Sequence, residues 1–228
     1  MNKYAVIVAG GNGSRMGSML PKQFLQLHER PILLHTLQAF VDAFFDIQII
    51  LVLPESYLEY TKEIIAKNHF THPIHYVLGG ATRFHSVQNG LKTITENGIV
   101  FVHDAVRCLV TPALIQRCYK QAMEKGSAIP VVPMKDSVRS IADTDHHKVV
   151  DRSVLRLVQT PQTFRTEIIL PAFESEYREA FTDEATVVES IGKQVFLIEG
   201  EESNIKITSP IDLIIAEAEL SKRSSQNL

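Results

Sequence analysis

The 228-residue chain is predicted to fold as an α/β protein, with a mostly parallel sheet and helices on both faces, on two observations. Short apolar runs alternate with longer amphipathic stretches in the order β-α-β-α-β-α-β-α-β, the order that crossover connections between parallel strands produce. Several of the short runs are apolar at successive positions, as strands covered on both sides are.

The elements follow in chain order. Tyr4–Ala9 is a strand; its apolar run is too short for a secretory signal and leads straight into glycines. Ile32–Phe44 has helical apolar spacing, Ile47–Leu53 is a strand and Tyr57–Asn68 a helix. Ile74–Leu78, Ile99–His103, Ala128–Val132 and Val195–Ile198 are further strands, and Arg83–Asn97 and Thr111–Lys125 are helices. A last helix opens at Ser209-Pro210, a serine cap with proline behind it, and the polar tail Ser221–Leu228 frays. Met134–Asp151 breaks the rhythm: a strand-like start, a polar centre at Asp143–His147 and a strand-like return at Lys148–Val150 make a long hairpin. It is too polar for the core, so it is either a solvated excursion or an arm that packs on a second chain. The layering is Rossmann-like, and the chain reads as one domain, residues 1–228, with the arm at about 134–152.

Composition removes several classes. Basic residues number 23 and acidic residues 26, a net charge of −3, whereas a general nucleic-acid binder is basic. Hydrophobic residues at 45% and charged residues at 21% are the mix of a globular protein. No apolar stretch approaches the ~20 residues of a membrane span. Cys108 and Cys118 are too few for a disulfide framework or a zinc quartet, and read as reduced thiols of a cytoplasmic protein.

The strongest site signal is Ala9-Gly10-Gly11-Asn12-Gly13-Ser14-Arg15, followed by Pro21-Lys22. Glycines let a backbone approach a ligand closely, and successive N–H groups can face phosphate oxygens. Arg15 and Lys22 add two cations. The dinucleotide fingerprint and the P-loop need other spacings; this one suits a loop wrapped around a triphosphate, whereas glycines alone would be a plain turn. Asp104, in His103-Asp104-Ala105-Val106-Arg107, ends a strand where ligands of open α/β sheets bind. A lone carboxylate there suits Mg²⁺ bridging phosphates, or braces a loop. His103 reads as structural. Gly79-Gly80 with Arg83 and Ser86 suits a base lying against backbone, or is a turn and a helix start. Asp151-Arg152, Gln159-Thr160-Pro161-Gln162, Thr182-Asp183-Glu184-Ala185 and Asn204–Thr208 contribute the threonines and cations of a phosphate pocket. Asp145-His146-His147 reads as a solvated turn rather than a metal site.

In order, AGGNGSRM…PKQ, GGATRFHSV, VHDAVR, VDR, TPQ, TDEA and NIKIT resemble the cytidylyltransferases that make 4-diphosphocytidyl-2-C-methyl-D-erythritol from CTP and 2-C-methyl-D-erythritol 4-phosphate, over about Tyr4 to Leu220. The first loop is shared by many nucleotidyltransferases; the combined set is specific for the cytidylyl branch. The resemblance implies that Ala9, Gly10, Gly11 and Gly13 hold the triphosphate and that Arg15 and Lys22 are its paired cations. It implies cytosine contacts at Gly80 and Ser86 with Arg83 nearby, and ribose and Mg²⁺ contacts at Asp104 and Ala105. It places Arg107, Thr160, Thr182 and Lys206 around the substrate phosphate and polyol, with Lys206 also near the α-phosphate. It implies a homodimer whose arm delivers Arg152 to the neighbouring site, with Ser137 where the family often has Thr.

There are departures. Val8-Ala9-Gly10 stands where the family commonly has Pro-Ala-Ala, and Ser203 where the residue before Asn204 is often acidic, with Glu201 and Glu202 close by. The expected chemistry is attack of an already anionic phosphate on the α-phosphorus of CTP, so charge stabilisation rather than a general base is needed. Two alternatives stay open on sequence: the same transfer to another polyol phosphate such as ribitol 5-phosphate, and a non-catalytic nucleotide-binding module.

Overall fold

In a computed structural model of the chain, residues 1–10, 20–142 and 146–226 are described. The chain runs β1 (Asn2–Val8), β2 (Gln26–Leu27), β3 (Arg30–Pro31), α1 (Ile32–Ala43), β4 (Gln48–Leu53), α2 (Leu58–Lys67), β5 (Ile74–Leu78), α3 (Arg83–Leu91) and β6 (Gly98–Asp104). It continues with α4 (Pro112–Lys125), β7 (Ser127–Pro133), β8 (Val138–Ile141), β9 (His147–Val150), β10 (Arg156–Val158), β11 (Gln162–Arg165), α5 (Thr166–Ala172), α6 (Glu184–Ser190), β12 (Leu197–Glu199) and α7 (Pro210–Gln226).

The sheet is parallel across β5, β4, β1 and β6, as the alternating pattern requires. Beyond β6 this mostly parallel sheet becomes mixed: β11 enters antiparallel between β6 and β7. β10 pairs antiparallel and β12 parallel with β7, completing eight strands. β1 and β6 lie side by side with Val8 opposite Asp104, so the loops that leave them open at one edge of the sheet.

Both faces are covered. Leu33, Leu37 and Phe40 of α1 and Leu114 and Ile115 of α4 bury against Leu51 and Phe101 on one side. Phe84 and Val87 of α3 and Ile169 of α5 bury against Val6, Val100 and Phe164 on the other. Each such side chain contributes about 1.5–3 kcal/mol when fully buried. This double cover is why β1, β4 and β6 read as unbroken apolar runs. A third cluster seats α7 on Leu27, Ile32, Leu109 and Ile207.

Helix ends follow local chemistry. Thr111 caps α4 by accepting the Leu114 N–H, Pro112 sits in its first turn, and Gly126 ends it in the left-handed region at φ 93°. α3 ends at Leu91, short of the expected Asn97. There Gly90 lies against Val6 and Val52, where a Cβ would come within 2.8 and 3.0 Å, and Thr93 Oγ1 donates back to the Gly90 carbonyl at 2.7 Å as the chain turns away. β8 and β9 form the expected hairpin, Val138 pairing with Val150 and Ile141 with His147. The expected polar tip, Asp143 to Asp145, lies outside the described residues, as do Gly11, Gly13 and Arg15. Cys108 and Cys118 are buried and unbridged, and burial pushes both thiols up to about 12. Among the described residues no helix is long and apolar enough to cross a membrane.

Candidate active site

A cleft of about 360 Å³ opens beyond the carboxyl ends of β1, β5 and β6. Three loops form it. The first leaves β1 at Ala9 and Gly10, pinned by the Ala9 N–H on the Val52 carbonyl at 2.8 Å and by Gln23 Nε2 on the Ala9 carbonyl at 2.8 Å. Lys22, one residue before Gln23, lines the cleft from the other side of that loop.

The second loop leaves β5. Thr82 caps α3, and the Ser86 hydroxyl donates to the Thr82 carbonyl at 3.0 Å while accepting the Gly80 N–H at 3.1 Å. A Cβ on Gly80 would lie 2.4 Å from His85 Cβ, so this position needs glycine. The Ser86 hydroxyl is thereby engaged in bracing the loop that carries Gly80.

The third loop begins at Asp104, 7% exposed. Arg83 Nε lies 3.1 Å from its Oδ1, Lys206 Nζ 2.8 Å from its Oδ2, and Arg107 Nε 3.8 Å from Oδ2. Burial pushes the Asp104 carboxyl up, but Arg83, Lys206 and Arg107 outweigh burial and hold it well below the usual carboxylate range. Arg83 also forks onto Glu184, with Nη1 at 2.5 Å from Oε1 and Nη2 at 3.3 Å from Oε2. Burial leaves Glu184, 1% exposed, raised even against Arg83. Three cations against two carboxylates leave this cluster one net positive charge.

Behind Asp104 the polar groups are wired in series. The Asp104 N–H donates to Thr160 Oγ1 at 3.2 Å, and that hydroxyl donates to His103 Nδ1 at 3.0 Å. His103 Nε2 faces the Arg107 carbonyl at 3.2 Å, which accepts only, so the imidazole carries its proton on Nε2. Burial lowers the His103 pKa to about 3, so the ring is neutral and both nitrogens are committed. Asn204 Nδ2 donates to the Thr160 carbonyl at 2.8 Å, and the Asn204 carbonyl accepts Arg107 Nη1 at 2.9 Å. Beyond it, the Ile207 N–H holds the Val106 carbonyl, and Asp212 Oδ2 accepts from the backbone and hydroxyls of Thr208 and Ser209. Lys206 is thus carried on a segment clamped at both ends.

Residues 4–222 match the family profile described as 2-C-methyl-D-erythritol 4-phosphate cytidylyltransferase. The chain belongs to that family. It is 46% identical over 218 residues to the 2-C-methyl-D-erythritol 4-phosphate cytidylyltransferase of Bacteroides thetaiotaomicron, covering 96% of this chain and 99% of that one. It is 47% identical over 218 residues to the enzyme of that name from Azobacteroides pseudotrichonymphae, covering 95% and 97%. Among solved structures it resembles the 4-diphosphocytidyl-2C-methyl-D-erythritol synthase of Anaerococcus prevotii, with TM-score 0.81, 29% identity, and coverage of 96% and 98%. It also resembles the 2-C-methyl-D-erythritol 4-phosphate cytidylyltransferase of Thermus thermophilus, with TM-score 0.77, 33% identity, and coverage of 97% and 100%.

The fold gathers distant parts of this cytidylyltransferase-family chain. Ala9, Gly10, Lys22, Gly80, Arg83, Ser86, Asp104 and Lys206 all line the cleft. Ala105 is buried beneath it, its N–H on the Val8 carbonyl at 3.0 Å. Within the cleft Arg83 is held between two carboxylates. Thr160 is buried behind Asp104, and Arg107 spends its guanidinium on Asp104 and on the Asn204 and Val158 carbonyls. Thr182 is exposed, just ahead of Asp183, which caps α6. Ser137 and Arg152 are exposed on the arm, and Arg152 donates to the Lys135 carbonyl. Glu201 is held by Thr111 and Arg117, and Glu202 by Lys135. Glu184, Asn204 and Gln162 stand inside motifs named from sequence but received no role of their own there; Gln162 ties β11 to α6 through Asp183 Oδ2 and the Ala185 N–H.

Proposed function

We propose that this cleft transfers the cytidylyl group of CTP to 2-C-methyl-D-erythritol 4-phosphate, releasing pyrophosphate and 4-diphosphocytidyl-2-C-methyl-D-erythritol for isoprenoid synthesis. The observation that carries the reading is the cluster of Arg83, Arg107 and Lys206 around the Asp104 carboxylate at the strand ends, in a chain of this family. A net positive, pre-arranged cluster is what two polyanions need in order to meet.

In the reaction an oxygen of the substrate phosphate bonds to the α-phosphorus while the bond from that phosphorus to the bridging oxygen breaks. The attacking oxygen is already anionic, so no proton is removed. The commitment of both His103 nitrogens suits a site that uses no general base. Backbone N–H groups from Gly10, Gly11 and Gly13 hold the triphosphate on a loop anchored by Ala9, and Arg15 and Lys22 set their charge against the negative charge that builds at the α-phosphate. Lys206 moves from Asp104 onto the α-phosphate, where negative charge builds in the transition state. The loop at Gly80 and Ser86 receives cytosine. Thr182 and the partner's Ser137 frame the methylerythritol phosphate, while Arg107 and Thr160, committed to Asp104, His103 and Asn204, brace the wall behind it.

Asp104 suits Mg²⁺. It is a buried, ionised carboxylate in the cleft, and a hard cation that takes one carboxylate and completes its shell with phosphate oxygens and water needs no second acid. When bound, the ion neutralises phosphate charge; Asp104 is the residue that would hold it. The protein works in the cytoplasm as one nucleotidyltransferase domain, residues 1–228, and pairs as a homodimer through the arm at about 134–152. In that dimer the partner's Arg152 orients the attacking phosphate.

Pyrophosphate release tests the reading. Wild-type protein with Mg²⁺, CTP and 2-C-methyl-D-erythritol 4-phosphate is expected to release it, with UTP and with ribitol 5-phosphate much less effective. Equal turnover of CTP and UTP, or a preference for ribitol 5-phosphate, overturns the assignment.

A further inference from the structure

Glu184 is a nearly fully buried carboxylate with no place in the transfer as described above. It opens α6 directly behind its cap Asp183, yet it points inward rather than to solvent. Both of its oxygens meet Arg83, which passes its remaining edge to Asp104 Oδ1. Three of the five N–H donors of the guanidinium are thereby fixed between two carboxylates. A planar fork held on both sides cannot swing, whereas an arginine tied to Asp104 alone would be free to turn onto a bound triphosphate.

We infer that Glu184 is a positioning residue for the reaction: through Arg83 it fixes the orientation of Asp104 and keeps Arg83 off the substrate. The charge pattern agrees. Arg83 and Glu184 neutralise each other, so Asp104 presents its negative charge to Lys206 and to a cation. Without Glu184, Arg83 would cancel Asp104 instead. The inference rests on the cytidylyl-transfer reading.

The test is a double-mutant cycle of Glu184→Gln with Asp104→Asn, read by pyrophosphate release against wild type. Glu184→Gln keeps the side chain's size and removes its charge. It is expected to lower kcat about 10–100-fold, as loss of an orienting partner does. The KM for CTP should stay level or fall, because an Arg83 released from Glu184 is free to turn toward the triphosphate. Calorimetry of CTP with Glu184→Gln in chelator should likewise show unchanged or tighter binding. In the Asp104→Asn background, Glu184→Gln should change kcat by less than about twofold, since its route of action is already cut. A merely structural role would give losses that multiply and a KM that rises. If Glu184→Gln does not fold, Arg83→Lys replaces it in the cycle, keeping the charge and losing the fork, with the same non-multiplying pattern expected. An inactive wild type overturns the transfer reading; an active wild type with an unchanged Glu184→Gln, or with multiplying losses, overturns this inference alone.

Discussion

At the cleft, Asp104 and Glu184 are nearly sealed from water, and Arg83, Arg107 and Lys206 are all engaged with them. On the arm, Ile141 and Val149 are 76% and 72% exposed, and Arg152 rests on a backbone carbonyl of its own base. Ile141 and Val149 alternate onto one face of the hairpin with Arg139 and His147, whose side chains meet across the strands at 2.7 Å. The ion cluster of the cleft pairs within one chain, whereas the arm displays apolar and cationic groups that one chain leaves uncovered. The difference separates two sources of function: residues whose chemistry is set by internal packing, and residues whose chemistry waits for a second molecule.

The largest expected effects break that division directly. Lys206→Ala and Arg152→Ala should each lower turnover about 10²–10³-fold, the range seen when one charge-stabilising donor is removed. Only the first disturbs a buried partner, so the two should differ in thermal unfolding, which Arg152→Ala leaves unchanged. Mixing the two inactive variants should restore about a quarter of wild-type turnover: half the dimers are mixed, and each holds one intact site. Pyrophosphate release by the refolded mixture reads this out. A mixture as inactive as its components means that Arg152 acts on its own chain or not at all.

Next in size is the contrast in stability. Asp104→Ala leaves Arg83, Arg107 and Lys206 facing one another, and removing one partner of a buried ion cluster costs about 3–5 kcal/mol. Ile141→Ser, on the exposed face of the arm, should stay within about 0.5 kcal/mol for the monomer and show itself only as weaker dimerisation. Urea unfolding at matched concentration and sedimentation separate the two. If Ile141→Ser costs as much as Asp104→Ala, that face of the arm contributes to the fold of its own chain rather than to pairing with a second one.

How far the sequence announced these two regions depends on how local their signals are. Four parallel strands, both helical layers, the hairpin and Asp104 at a strand end were legible because each writes its own periodicity or punctuation over a few residues. β11 was not: Gln162 and Thr163 are polar yet buried, so a four-residue strand with three polar positions carries no apolar run to read. α5 hides for a similar reason, with Pro171 inside seven residues. Glu184 sits where acids commonly stand for the helix dipole alone, and nothing local tells that its carboxylate turns inward to Arg83. The ion pairs of Arg83 were hidden for the same cause: its two partners lie 21 and 101 residues away.

A smaller effect sharpens the reading of the cytosine loop. Gly80→Ala forces a Cβ against His85 and must shift either α3 or the loop. The Gly80 N–H would then leave Ser86. The KM for CTP should rise about 10-fold, the worth of one hydrogen bond, while the KM for the polyol phosphate stays level. Equal increases in both would mean that the loop serves the site as a whole rather than the base.

The smallest effect lies in the pH dependence of stability, where His103 gives the buried side of the comparison a signature. Burial holds its folded pKa near 3, far below the usual imidazole value, so between those limits the unfolded chain binds a proton that the folded chain refuses. Stability contributed this way is intact above about pH 6.5 and is lost as pH falls, by about 1 kcal/mol per pH unit. His35, half-buried and also lowered, adds a slope of the same sign, while Glu184, raised by burial, loses stability as pH climbs through its folded value. The depressed Asp104 carboxyl costs stability only below about pH 4, so it is silent in the upper window. Urea unfolding of chelator-treated protein from pH 6.5 to 5 should therefore show a steeper decline for wild type than for His103→Gln, the two lines differing by close to one proton. Parallel lines would mean that the imidazole takes up its proton without disturbing Thr160 and the Arg107 carbonyl, and that the wiring behind Asp104 is looser than these distances imply.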